Sequence, residues 1–175
     1  SGRWMAFGLE TEIPYKMPSG LHFYFLPEVP RGYAWAFPCG ETVRFGVLSY
    51  GIGAALSEAK GRSPKAPYQL PRRMLEQFLI RFGLTPGQVH GGFLQEGLYR
   101  PVQGHIFAVG DAAGHCLPLS GEGIRSAVQA GWMCGTLLKG VLEGRLEMDA
   151  AQKIYSEFVA RQRGRYMVLG WMEAL

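Results

Sequence analysis

Ile106-Phe107-Ala108-Val109-Gly110-Asp111-Ala112-Ala113-Gly114-His115-Cys116-Leu117-Pro118-Leu119-Ser120-Gly121-Glu122-Gly123-Ile124 is where this 175-residue chain changes character. Ile106 to Val109 is a short apolar run of the buried-strand type, and Gly110-Asp111 stops it. Small residues follow, so backbone can come close to a ligand. Pro118 then leads into Ser120-Gly121-Glu122-Gly123 at the start of a long helix. The pattern predicts Asp111 at a strand end and Gly123 at a helix start, both facing one cleft. Free N–H groups and the positive end of the helix dipole meet there and suit an anion or an electron-rich carbonyl. A plain Gly-rich connection with an Asp cap is the alternative. A dinucleotide Gly loop is rejected: Ser126 stands where the third glycine belongs, and roughly ten residues separate strand from helix where a tight turn is required.

Downstream, the helix runs from near Gly123 to about Glu143, with Ile124, Ala127, Val128, Gly131, Cys134, Leu138 and Val141 as its apolar stripe and Gly144 as its stop. Asp149 is the expected N-cap of a last helix that carries Ile154, Phe158 and Gln162 on one side. Upstream, the chain reads mostly as strand and turn. Leu21 to Leu26 is a short aromatic run, and Tyr33-Ala34-Trp35-Ala36-Phe37 alternates large with small, the period of a strand with two unlike faces. Pro38 to Glu41 is turn chemistry and Thr42 to Ser49 the return strand, so residues 33–49 form a hairpin. A short helix is expected near Ala54–Lys60. Pro71 suits the first turn of another helix, whose Leu75, Phe78, Leu79 and Phe82 share a face and which Gly83 ends. Phe93 to Arg100 reads as a further strand.

The expected fold class is therefore α+β: an antiparallel sheet with a helix over residues 1–100, a strand–GD loop–long helix segment over 101–145, and a helical segment over 146–175. Composition agrees with a globular chain. Apolar residues make up 47% and charged residues 18%, which argues against disorder. Glycine, at 25 residues, is about double its ordinary ~7% usage, as tight turns and close backbone approach require. A net charge of +4 and the lack of a recognition motif give no support to a nucleic-acid partner. Cys39, Cys116 and Cys134 show no CxxC spacing, so a disulfide framework or structural zinc is not expected, and a cytoplasmic setting fits. His115 and Cys116 have no partner ligands at metal-binding spacing, so no metal is assigned. Ser120 lacks the G-x-S-x-G context of a hydrolase elbow.

Gly110-Asp111-Ala112-Ala113-Gly114 followed by Pro118-Leu119-Ser120-Gly121-Glu122-Gly123-Ile124 resembles the second flavin motif of FAD-dependent oxidoreductases of the aromatic-hydroxylase superfamily, and within it the geranylgeranyl reductase group. The resemblance implies that Asp111, after Gly110, hydrogen-bonds the flavin ribityl chain. It also implies that the segment from Pro118, with the backbone of Gly121, Glu122, Gly123 and Ile124, lies against flavin N1 and O2. Reduced flavin is negatively charged at that edge. A helix N-terminus offers about 0.3–1 kcal/mol per charge, so the dipole tunes the potential modestly. Tyr33-Ala34-Trp35-Ala36-Phe37-Pro38 is similar to the YxWxFP motif of the same group, which implies that Tyr33, Trp35 and Phe37 line an apolar cavity for a prenyl chain. Read without the resemblance, they are equally the core face of a sheet. The group's GxG meets Gly46 here but Leu48 at its second position. Flavin halogenases carry a WxWxIP segment, from which Tyr33 and Phe37 depart.

What the resemblance implies is a portion of an enzyme in which reduced flavin passes hydride to a carbon–carbon double bond of a prenyl substrate, with NAD(P)H or another reductant upstream. The group's N-terminal GxGxxG unit, which holds the ADP half of FAD, is not in this sequence, and a chain without it is expected to bind FAD poorly. The alternatives are a portion of a flavin hydroxylase or halogenase, and a non-catalytic binding fragment. No catalytic residue is assigned. Arg161, Arg163 and Arg165 near Tyr166, Trp171 and Met172 make the end of the chain basic and aromatic, which suits either a solvated helix face or peripheral contact with an anionic membrane.

Overall fold

A computed structural model describes residues 5–50, 66–95 and 97–174. They form two compact units, Met5–Phe93 and the residues from Leu94 onward.

The first unit is a five-stranded sheet with one helix. Its strands are β1 (Met5–Pro14), β2 (His22–Tyr24), β3 (Gly32–Cys39), β4 (Thr42–Tyr50) and β5 (Val89–Gln95), in the order β2-β3-β4-β1-β5. The 33–49 hairpin is present: β3 and β4 pair antiparallel from Gly32 opposite Ser49 to Cys39 opposite Thr42, around Gly40 at φ +71°. The aromatic run at 21–26 contributes β2, antiparallel to β3. The longest strand, β1, was not singled out from sequence; it lies antiparallel to β4 from Ala6 opposite Tyr50 to Pro14 opposite Thr42. Helix α1 (Ala66–Ile80) covers one face of the sheet. Leu75, Phe78 and Leu79 are fully buried against Phe7, Val43, Phe45 and Val47, with Phe82 packed at the edge, as the helical spacing predicted. Gly83 closes the helix at φ +67°, its N–H donating to the Ile80 carbonyl.

Two expectations differ from the structure here. Pro71 lies inside α1, five residues after its start, because the helix begins at Ala66. The strand expected over Phe93–Arg100 runs over Val89–Gln95. Its Gly91 allows close approach to β1: a Cβ there would overlap the Gly8 carbonyl. The helix expected near Ala54–Lys60 falls outside the described residues.

The second unit holds a two-stranded ribbon, β6 (Val102–Gln103) and β7 (Ile106–Phe107), then a 3₁₀ turn over Gly110–Ala113. Three helices follow: α2 (Ile124–Leu142), α3 (Met148–Ala160) and α4 (Arg163–Ala174). Its core joins Ala130, Cys134 and Leu137 of α2 to Ala151, Tyr155 and Val159 of α3, with Leu98, Val102 and Phe107 packed on it. The buried strand expected at Ile106–Val109 is corrected to a two-residue strand paired with β6, and Ile106 is exposed. α2 appears where its pattern placed it, but Ile124 and Val128 of the expected stripe point outward while Ser126, Ala130, Cys134 and Leu137 point inward. Both faces of α2 are apolar, so periodicity could not tell which one the core takes. The last helix is two helices. Glu147 occupies the N-cap position of α3, Asp149 sits in its first turn, and its buried face is Ala151, Tyr155 and Val159 rather than Ile154, Phe158 and Gln162.

Candidate functional site

Gly110 opens the 3₁₀ turn at φ +63° and Gly114 closes it at φ +69°, conformations that cost side-chain-bearing residues about 1 kcal/mol or more. Gly114 is also pinned by space, since a Cβ there would overlap the Gly97 carbonyl. The turn is tied internally. The Gly114 N–H donates to the Asp111 carbonyl and the His115 N–H to the Gly110 carbonyl, both at 3.0 Å. The Gly110 N–H donates to His115 Nδ1 at 3.1 Å. Asp111 stands exposed in the middle of the turn.

The Pro118–Gly123 segment doubles back beside the turn. The Leu117 N–H donates to the Glu122 carbonyl at 2.8 Å and the Gly121 N–H to the Leu117 carbonyl at 3.0 Å, with Leu119 and Gly121 at positive φ. The turn and the helix start are neighbours. A Cβ on Gly110 would lie 3.7 Å from the Ala127 methyl, and one on Gly123 3.4 Å from the Cys116 Cα. Gly123 and Ile124, at the mouth of α2, keep N–H groups with no acceptor among the described residues.

Sequence reading missed how this mouth is finished. Glu122 contributes more than backbone: its carboxylate accepts the Arg125 N–H at 2.8 Å and its other oxygen lies 3.4 Å from the Arg125 guanidinium. It is a helix cap whose charge Arg125 offsets. A carboxylate just ahead of the first helical turn, with an arginine three residues on, was the available signal. His115, which as a metal ligand lacks partners at the right spacing, has a structural place in the turn. It is fully buried, its Nδ1 is an acceptor, and its Nε2 is then a buried donor without a partner among the described residues. Burial holds its pKa below the usual imidazole value, against the pull of Asp111. Its carbonyl accepts the Tyr166 hydroxyl at 2.8 Å, which ties α4 to the turn. Tyr155 of α3 donates to the Ala108 carbonyl at 2.7 Å, and burial pushes its phenol up to about 12.

Tyr33, Trp35 and Phe37 lie together on one face of β3, half-buried. The face packed under α1 is the other one, where Ala34 and Ala36 are fully buried. The aromatic face is extended by two residues not singled out from sequence. The Phe23 ring sits 5.7 Å from Tyr33 and 5.2 Å from Phe37, and Phe25 6.3 Å from Tyr33. Residues 21, 23 and 25 share the period-2 alternation that could have shown this. Trp35 lies over Gly46, its cross-strand partner, where a Cβ would overlap the indole. Gly46 thus sets how deep the indole sits.

No model of a known protein family matches the chain. Curated relatives do. The chain is 29% identical over 144 residues to digeranylgeranylglycerophospholipid reductase of Methanothrix thermoacetophila, covering 80% of this chain and 35% of the relative. It is 32% identical over 146 residues to the protein of that name from Methanococcus vannielii, covering 83% and 35%. Among solved structures, a geranylgeranyl bacteriochlorophyll reductase-like protein from Thermoplasma acidophilum superposes with a TM-score of 0.73 at 18% identity, over 98% of this chain and 43% of that one. The flavin-dependent halogenase CmlS superposes at 0.60 and 16% identity, over 93% and 30%. The resemblance to geranylgeranyl-reductase-like flavoenzymes is borne out, and the fold is theirs. The chain spans little more than a third of the length of the curated relatives.

Proposed function

We propose that this chain is part of an FAD-dependent oxidoreductase that reduces carbon–carbon double bonds of a prenyl, geranylgeranyl-type substrate. The observation that carries the reading is the packing of the Gly110–Gly114 turn on the first turns of α2, which brings an exposed carboxylate and two free N–H groups into one segment. The residues fit a flavin. Asp111 is an acceptor for ribityl hydroxyls, and the Gly123 and Ile124 N–H groups suit an electron-rich pyrimidine edge. Exposed Ala112 leaves room for close approach. When bound, FAD supplies the hydride chemistry. The chain's residues orient it, and Arg125 keeps Glu122 from presenting an uncompensated negative charge to it. Outward-facing Ile124, Val128 and Trp132, with the small Gly131 and Gly135 between them, give α2 a second apolar face. A helix that completes an α/β FAD-binding domain has such a face. The aromatic face of β3 supplies the apolar lining that a prenyl chain needs.

A halogenase or hydroxylase portion is the second reading, and the likeness to CmlS favours it at the level of fold alone. The two separate on substrate. In the full reading frame of this chain, substituting Asp111→Ala should weaken FAD binding, followed by quenching of flavin fluorescence. Reduced enzyme should be reoxidised by a geranylgeranyl lipid under anaerobic conditions. Unchanged FAD affinity sinks the assigned site, and reoxidation only by oxygen in the presence of an aromatic substrate moves the protein to the second reading.

A further inference from the structure

Helix α4 is apolar on two sides. Tyr166 and Gly170 are buried against the unit, while Met167, Val168, Trp171 and Met172 are 65%, 60%, 76% and 53% exposed. At 3.6 residues per turn, the order around the outward side is Arg163, Met167, Trp171, Val168, Met172, Arg165. An apolar strip is therefore edged by a guanidinium on each side, with Arg161 just before the helix. None of the three arginines has a carboxylate within ion-pair distance among the described residues. The cations beside the outward face of α2 differ in this respect: Arg125 is 3.4 Å from Glu122, and Lys139 is 3.9 Å from Glu143.

We propose that α4 is an interfacial helix that seats its Met167–Trp171–Met172 face in an anionic lipid surface. Charge selects the occupant. Uncompensated arginines at the two edges of an apolar strip can reach up to headgroup phosphates while the strip enters the acyl boundary. Two copies of a chain of net charge +4 meeting on this face would oppose their own arginines. An open groove of about 300 Å³, lined in part by Leu98, Pro118, Arg163, Met167 and Trp171, adjoins the strip and continues its apolar surface. No helix among the described residues is long and apolar enough to cross a membrane, so the contact is peripheral. The inference gives the lipid-substrate reading a location, and its test uses neither flavin nor substrate, so the two fail separately.

The test is flotation of the protein, in the full reading frame of this chain, with vesicles of phosphatidylcholine alone or with phosphatidylglycerol added. Binding should be stronger to the anionic vesicles by roughly tenfold or more and should fall with salt, because each arginine contributes about fivefold. Arg163→Glu/Arg165→Glu and Trp171→Asp should each remove it, whereas Trp132→Asp on α2 should not. Thermal melts check that each variant is folded. As a second readout, the tryptophan emission should shift to the blue on adding anionic vesicles in the parent and not in Trp171→Phe. No vesicle binding, equal binding to neutral vesicles, retention of binding in Trp171→Asp, or a Trp171-dependent dimer without lipid each overturns the proposal.

Discussion

The two units solve the same problem to different degrees. In Met5–Phe93, one face of the sheet is sealed by α1, and the rings of Phe45, Phe78 and Phe82 meet at centroid distances of 5.0–6.1 Å. In the second unit, two-residue strands stand beside helices that keep large apolar side chains outside, on α2 and on α4. The first unit closes the sheet face under α1 and leaves only its aromatic β2–β3 face open, with Phe23 51% and Phe25 80% exposed, whereas the second leaves apolar surface on two of its three helices for something else to cover. The contrast separates residues that hold structure from residues that present surface: Phe78 belongs to the first group, Trp132 and Trp171 to the second.

That division can be broken by substitution, and the largest effect is expected in the closed core. Phe78→Ala should cost about 3–5 kcal/mol and unfold the sheet unit, while hydrogen exchange in α2 and α3 stays slow. Loss of protection throughout would mean that the units do not stand apart energetically. Next comes the open unit's proposed ligand. Asp111→Ala should weaken FAD binding by about 1.5–3 kcal/mol in the full reading frame, with little change in melting temperature. Gly46→Ala should cost about 1–3 kcal/mol by pushing the Trp35 indole outward, and a near-ultraviolet dichroism change at Trp35 would report it. Glu122→Ala removes a cap and should cost about 1 kcal/mol, read by denaturant titration.

The smallest effect is a pH dependence in His115. Its folded pKa lies below the unfolded value, so the unfolded state binds more protons on acidification. Its contribution is complete above about pH 6.5, the ordinary imidazole value, and is lost as pH falls from there towards the folded pKa. A proton on Nδ1 would also end the bond from Gly110. Stability of the parent should therefore decline in that window more steeply than that of His115→Asn. Parallel curves would show that this imidazole titrates alike in the folded and unfolded states.

Much of the sheet unit was legible because its signals are local. The Tyr33–Phe37 alternation, the Gly40 turn and the Leu75–Phe78–Leu79 face each follow from a backbone period and a glycine that tolerates positive φ. The span of α2 was legible for the same reason. β1, the longest strand, has a weaker local signal, since its apolar residues are interleaved with Glu10, Thr11 and Glu12. Thr11 is buried and donates to the Gln88 carbonyl, a partner 77 positions away.

At the candidate site, Gly110, Gly114 and Gly121 were written in the chain, because their positive φ favours a residue without a side chain. The inward side of α2, the Tyr166 bond to His115 and the seat of Trp35 on Gly46 came only from tertiary contact. A sequence period records that a helix has apolar faces. Which one is buried depends on what packs there, and that is a property of distant residues meeting in space.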